Sequence, residues 1–246
     1  MNLLKDLKKT KGHNKGFTLL ELLIVIAIIA ILSIALVFML NPAETLKKAR
    51  DAQRISDLKT VKTALGVLLT ATSTPSLDNF GGSPMGQVCL TNAAGTAQTG
   101  RIAYSAYPAP TSGITTTAGS DSAGTAFNAA GVTSASATST GKIDGTGWIP
   151  VNLKALTSGT PISSYPVDPI NSVSGTASAS DLVYRYACQN LSLTSGKPSY
   201  IFEIDAVLES NAYTIEDNKM AKDGGDNASM YESGNSLNLL PISGNF

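Results

Sequence analysis

Phe17-Thr18-Leu19-Leu20-Glu21-Leu22-Leu23-Ile24-Val25-Ile26-Ala27-Ile28 opens a run of 24 residues, ending at Leu40, in which only Thr18, Glu21 and Ser33 are not apolar. As a helix rising about 1.5 Å per residue, the run reaches about 36 Å and can cross a hydrocarbon core of about 30 Å. The reading is one membrane-spanning helix over 17–40. Charge around it sets the orientation. Of 18 basic and 18 acidic residues in the chain, five and one fall in the first sixteen, which leaves 13 and 17 for the rest. Lys5, Lys8, Lys9, Lys11 and Lys15 precede the run and Lys47, Lys48 and Arg50 follow it. The positive-inside rule keeps the denser first cluster in the cytoplasm and the carboxy-terminal body outside. That mildly acidic body offers no basic surface for nucleic acid, so no nucleic-acid partner is expected.

A secretory signal has a shorter apolar core, about 7 to 15 residues, followed by a small-residue cleavage site. Here the small residue, Gly16, comes first. A cut between Gly16 and Phe17 discards only the basic leader 1–16 and keeps the hydrophobic helix. Glu21 is the costly residue, since a carboxylate in a membrane helix costs about 2.5 to 3.5 kcal/mol on insertion scales. It has two readings. It snorkels to the nearby interface, or it meets the new Phe17 amine of a neighbouring subunit in a bundle where water is scarce.

The basic leader ending in Gly16, followed by Phe17-Thr18-Leu19-Leu20-Glu21 and the apolar run, resembles the class III signal of type IV prepilins and type II secretion pseudopilins. The resemblance implies that a membrane-embedded prepilin peptidase cuts after Gly16 and methylates the amine of Phe17. It also implies that Glu21 serves registration and assembly with identical or related pilin subunits, through pilus assembly machinery. The expected location is a single pass in the cytoplasmic membrane, then a cell-surface or periplasmic filament. A weaker likeness to the carboxy-terminal region of major pseudopilins lies in proline-flanked Asp168 and Tyr184-Arg185-Tyr186. The implied fold is α+β and pilin-like: a long amino-terminal α-helix, half membrane and half amphipathic, packed on a small antiparallel sheet.

Downstream, Asn41-Pro42-Ala43-Glu44 either kinks one helix or caps a second that has proline at its first position. Over 41–72, Leu46, Ala49, Ile55, Leu58, Val61, Leu65, Leu68 and Leu69 recur at helical spacing, with Lys47, Lys48, Arg50, Asp51, Arg54, Asp57, Lys59 and Lys62 between them. This is an amphipathic helix, with a short coiled coil as the competing reading. The globular head covers 73–246. Its segment 91–147 has 41 of 57 positions as Ala, Gly, Ser or Thr; so little side-chain area points to an inserted loop or irregular β-structure, open to O-linked sugar. After it, Trp148 to Leu153 forms a short apolar element. Asp181 to Gln189 and Ser199 to Leu208 read as an antiparallel strand pair.

Cys89 and Cys188 are the whole thiol inventory. An even count and an oxidising compartment favour a disulfide over two unrelated buried thiols, and closing so long a loop contributes about 4 to 5 kcal/mol in the chain-entropy model. The single histidine, His13, lies in the leader, so the processed chain lacks imidazole for a triad or a zinc site. No enzymatic activity and no cofactor are expected, with one qualification. Asp217, Asp223 and Asp226, among Asn and Gly residues, gather oxygen donors that suit Ca2+, the alternative being a polar turn. Asn190 and Asn227 head two N-glycosylation sequons. Three function readings stand together: a type IV pilus-like subunit, a pseudopilin of a type II secretion or competence system, and a membrane-tethered adhesive domain that never polymerises.

Overall fold

The computed structural model describes residues 16–79, 88–90, 100–107, 136–173, 180–191 and 197–240. Leader residues 1–15 and positions 91–99 and 108–135 of the small-residue segment lie outside the described residues. The chain forms two compact units, one ending at Thr45 and one beginning at Leu46.

In the first unit, helix α1 spans Leu19–Leu40. Leu, Ile, Ala and Val carry it without glycine or proline, so every interior backbone group is paired within the helix, as a hydrocarbon solvent demands. Ser33 satisfies its hydroxyl by donating to the Ile29 carbonyl at 2.7 Å. Asn41 ends the helix in a left-handed conformation, φ +38°, which asparagine tolerates better than most residues. Pro42 then opens α2, Pro42–Ala71. Its missing N–H costs nothing at a first helical position. The Asn41 side chain accepts from the Glu44 amide only at the long distance of 3.5 Å, while its carbonyl accepts from the Glu44 and Thr45 amides at 3.1 and 3.2 Å. Of the two readings of this junction, the second holds: one helix stops and another starts.

In the second unit, a four-stranded antiparallel sheet runs in the order β1 (Ala103–Tyr104), β2 (Tyr184–Leu191), β3 (Pro198–Ala206) and β4 (Tyr231–Gly234). The strand pair read from the sequence is β2 and β3, in register from Tyr184 opposite Ala206 to Gln189 opposite Ile201. Alternation then divides the side chains. Tyr184, Tyr186, Cys188, Phe202, Ile204 and Ala206 join Leu58, Val61, Leu65 and Leu68 of α2 in the larger core, so α2 packs on this face. Trp148, Ile149, Val151 and Leu153 complete it. Cys89 and Cys188 are bonded, with Cα atoms 4.4 Å apart.

Two expectations need correction. The buried face of α2 is Asp51, Arg54, Leu58, Val61, Ala64, Leu65 and Leu68. Leu46 and Ala49, expected inside, are exposed, and two charged residues expected outside take the inner face. They are paired. Arg54 grips Asp168 with two bonds of 2.6 and 3.0 Å and reaches Asp51 at 2.8 Å and Glu209 at 2.7 Å. Asp51 in turn accepts from the amides of Glu209 and Ser210. The second correction concerns 91–147, which is not wholly an insertion. Ile102, Ala103 and Tyr104 supply β1 and its buried contacts, and Ile143 enters the main core.

The far face of the sheet is closed by a second core containing Leu90, Ile102, Tyr104, Met230, Leu239 and Leu240. Among them sit Arg185, Glu203, Asp205 and Glu232, all at most 3% exposed. Glu203 accepts from the Leu239 and Leu240 amides at 2.6 and 2.8 Å, tying the last described residues to β3. Arg185 lies 3.5 Å from its cross-strand partner Asp205. Glu232 packs so close to Gly225 that a Cβ there would fall 1.7 Å from its Oε2. Burial lifts the Glu203 carboxyl to about 7, against an opposing hydrogen bond from Glu232. Burial lifts Glu232 further, with the bond and charge of Glu203 adding to it. Burial also raises Asp205 to about 6, against the pull of Arg185.

A raised carboxyl contributes stability that is complete below its ordinary value, about 4, and is lost as pH rises through its folded value. The thermal midpoint of the full chain should therefore fall between about pH 5 and about pH 8. Glu203→Gln keeps an acceptor for Leu239 and Leu240 and should flatten that slope; a slope equally steep in the variant would count against the pair. Glu209 acts in a different window. The Arg50 hydrogen bond, chiefly, lowers its carboxyl to about 2, so its contribution is present above about pH 4 and lost as pH falls toward 2.

Candidate functional site

The amino-terminal end of α1 is built by a short local motif. Thr18 is extended and stands at the N-cap. Its hydroxyl accepts from the Glu21 amide at 3.2 Å, and Glu21 Oε2 accepts from the Thr18 amide at 2.8 Å and the Thr18 hydroxyl at 2.9 Å. This reciprocal capping box satisfies donors that a helix start leaves open. Glu21 is thus held in one orientation by its own subunit. Both of its bonds fall on Oε2, which leaves Oε1 free for a further donor. The sequence reading treated Glu21 only as a charge in the membrane and missed Thr18, although Thr-x-x-Glu before an apolar run is the signature of such a cap.

Gly16 and Phe17 lie just ahead of the cap. A Cβ built on Gly16 meets nothing within 4 Å, so among the described residues no contact requires glycine there. Phe17 is 90% exposed. Behind it, none of the 22 residues of α1 is buried, on any side of the helix. The length and composition suffice to cross a membrane.

The calcium candidates are not assembled into one ligand set. Asp217 is engaged by Lys219 and Lys222 at 2.5 and 2.7 Å. Asp223 accepts from the amides of Gly225 and Glu232 at 2.9 and 2.8 Å. Among the described residues, no group of three or more His, Cys, Asp or Glu side chains is placed to hold a metal ion. The carboxylates of Asp217 and Asp223 are instead engaged by nearby lysines and amides. Both sequon asparagines are used internally as well. Asn190 accepts from the Leu77 amide at 3.0 Å, and buried Asn227 from that of Ser229 at 3.0 Å.

The amino-terminal unit is thus a fully exposed apolar helix, long enough to cross a membrane, capped by the Thr18–Glu21 pair at its start. Residues 11–37 match the model of the prokaryotic N-terminal methylation motif. The chain therefore carries the class III prepilin signal of type IV pilins and pseudopilins, which implies membrane association. The match ends within α1 and does not reach the head. No curated protein and no solved structure matches the chain.

Proposed function

We propose that the chain is the precursor of a type IV pilus-like filament subunit, a structural protein and not an enzyme. The observation that carries this reading is the exposure of α1 on every side, with a single carboxylate at its head. Such a surface is covered by lipid while the subunit waits as a single-pass membrane protein with its head outside the cytoplasm. It is covered by the α1 helices of identical or related subunits once assembly machinery packs them together. Prepilin peptidase removes the leader after Gly16 and methylates Phe17, and the new amine of one subunit meets Glu21 of the next.

Sheared and purified fibres test this directly. Mass spectrometry should find the subunit beginning at N-methylated Phe17. Gly16→Ala should slow processing about tenfold or more, the discrimination one added methyl group gives in a pocket fitted to the smaller residue. Mature filaments built from uncleaved chains would refute the mechanism. Fibres confined to the periplasm would make the subunit a pseudopilin, and an absence of fibres containing it would leave the membrane-tethered adhesive domain.

A further inference from the structure

The second unit exposes its large apolar side chains unevenly. Among its described residues the two most exposed are Ile215 at 72% and Leu46 at 61%. One such side chain on a surface needs no explanation. These two, far apart in sequence, come to the same end of one helix. Leu46 lies just past the first turn of α2. Ile215 belongs to a short π-helical turn, Ala212–Glu216, and this turn is fastened beside the first turns of α2. Just ahead of it Arg50 donates to Glu209 at 2.7 and 2.8 Å, and within it the Tyr213 ring centre lies 5.9 Å from the Lys48 ammonium.

This end of α2 is the one that the chain joins to α1, with only residues 41–45 between Leu40 and Leu46. At about 1.5 Å per helical residue Leu46 stands about 6 Å beyond Pro42 and Lys48 about 9 Å. That is the scale of a lipid headgroup layer, about 5 to 7 Å deep on each side of the hydrocarbon. The side chains gathered here suit such a layer. Tyrosine offers it an apolar ring with a polar tip, and lysine lays its stem on apolar surface while the ammonium reaches phosphate. Lys47 and Lys48 come from α2, and Lys219 stands 6.0 Å from the Tyr213 ring centre. Glu44 and Glu216 bring negative charge to the same surroundings. Attraction to lipid therefore depends on the apolar and tyrosyl side chains and not on net charge.

We infer that Leu46, Tyr213 and Ile215 rest in the headgroup layer of the membrane that α1 spans, so that the head of an unassembled subunit docks on the lipid surface through the base of α2 and the 212–216 turn. The inference rests on the reading of α1 as a membrane-spanning helix. Packing into a filament takes the subunit out of the lipid, so assembly has to break this contact.

Nitroxide labels on the full chain in phosphatidylcholine vesicles test it, with oxygen and a polar nickel chelate as relaxation agents. The two native cysteines are bonded to each other and buried, which confines labelling to introduced ones. Three exposed positions are compared: Ile28→Cys within α1, Ile215→Cys in the turn and Ala71→Cys at the far end of α2. Oxygen concentrates in lipid and the chelate in water. The oxygen-to-chelate ratio should be highest for Ile28→Cys and lowest for Ala71→Cys, with Ile215→Cys several-fold above Ala71→Cys. The ratio for Ile215→Cys should survive high salt, which screens exposed charges. A ratio for Ile215→Cys equal to that for Ala71→Cys, with Ile28→Cys in lipid, overturns the inference and leaves the membrane reading intact. Water contact at Ile28→Cys removes both. A ratio lost at high salt overturns the apolar contact, and shielding of Ile215→Cys from both agents with spin–spin broadening would put a second copy of the chain in place of lipid.

Discussion

Arg54→Met should destabilise the head by more than about 3 kcal/mol, the cost of leaving a buried charge without its partner. The guanidinium is fully buried and holds Asp168, Asp51 and Glu209 at 2.6 to 3.0 Å. Burial alone would lower its pKa, but the Asp168, Glu209 and Asp51 bonds outweigh burial and keep it charged. Methionine fills much of the same volume and supplies no donor. Asp51 and Asp168, both buried, then face one another's elements with only backbone amides to accept from. Such a network is not by itself evidence of a stable fold, since apolar residues of similar shape can do as well; the loss comes from breaking it one-sidedly. Urea unfolding followed by Trp148, the only tryptophan and fully buried, would read the change. Asp168→Asn in the Arg54→Met background should restore part of it, because a neutral amide still accepts from Ile170 and Asn171. A shift below about 1 kcal/mol in Arg54→Met, typical of an exposed pair, would show that the network does not lock α2 to the head.

The same residues mark where the sequence stops being informative. Helix α1 was legible because a long apolar run without proline has few solutions: it is a helix, here of a length that suffices to cross a hydrocarbon core. The extent of α2 was legible from its period, and β2 and β3 from their aromatic and β-branched content. The inner face of α2 was not. Hydropathy sends Asp51 and Arg54 outward, and only partners 114 to 159 residues away reverse that assignment. Proline-flanked Asp168 was recognisable as unusual and extended, but not as the counter-ion of Arg54. Strand β1 is two residues inside a stretch dominated by small side chains, and β4 carries Glu232 and Ser233 where a strand reading looks for apolar alternation. Both exist because the edges of β2 and β3 recruit them. At the proposed processing site the balance reverses. Gly16, Phe17, Thr18 and Glu21 are sequence neighbours whose geometry is local, so the whole site was within reach, including the cap that was missed.

Glu21→Ala should leave membrane insertion and cleavage after Gly16 intact while nearly abolishing filaments. Removing the carboxylate takes a charge out of the membrane and so favours insertion. It also strips the acceptor of the Thr18 amide, for which loss of a cap costs about 0.5 to 2 kcal/mol at the helix start. If the Phe17 amine of each subunit is neutralised by a neighbour's Glu21, assembly loses much more. An uncompensated ammonium in a packed helical core costs about 3 kcal/mol or more per contact, roughly a hundredfold in association. Glu21→Gln separates the two roles. Glutamine at this position still completes a capping box, so Thr18 keeps its partner, yet the amide carries no charge. The charge mechanism requires Glu21→Gln to assemble as poorly as Glu21→Ala, and Thr18→Val, which spoils the cap and spares the charge, to assemble far better than either. Electron microscopy of sheared fibres, alongside immunoblots of membrane-bound mature subunit, would distinguish them. Filaments restored by glutamine would assign the work of Glu21 to the helix start alone and remove the amine from the mechanism.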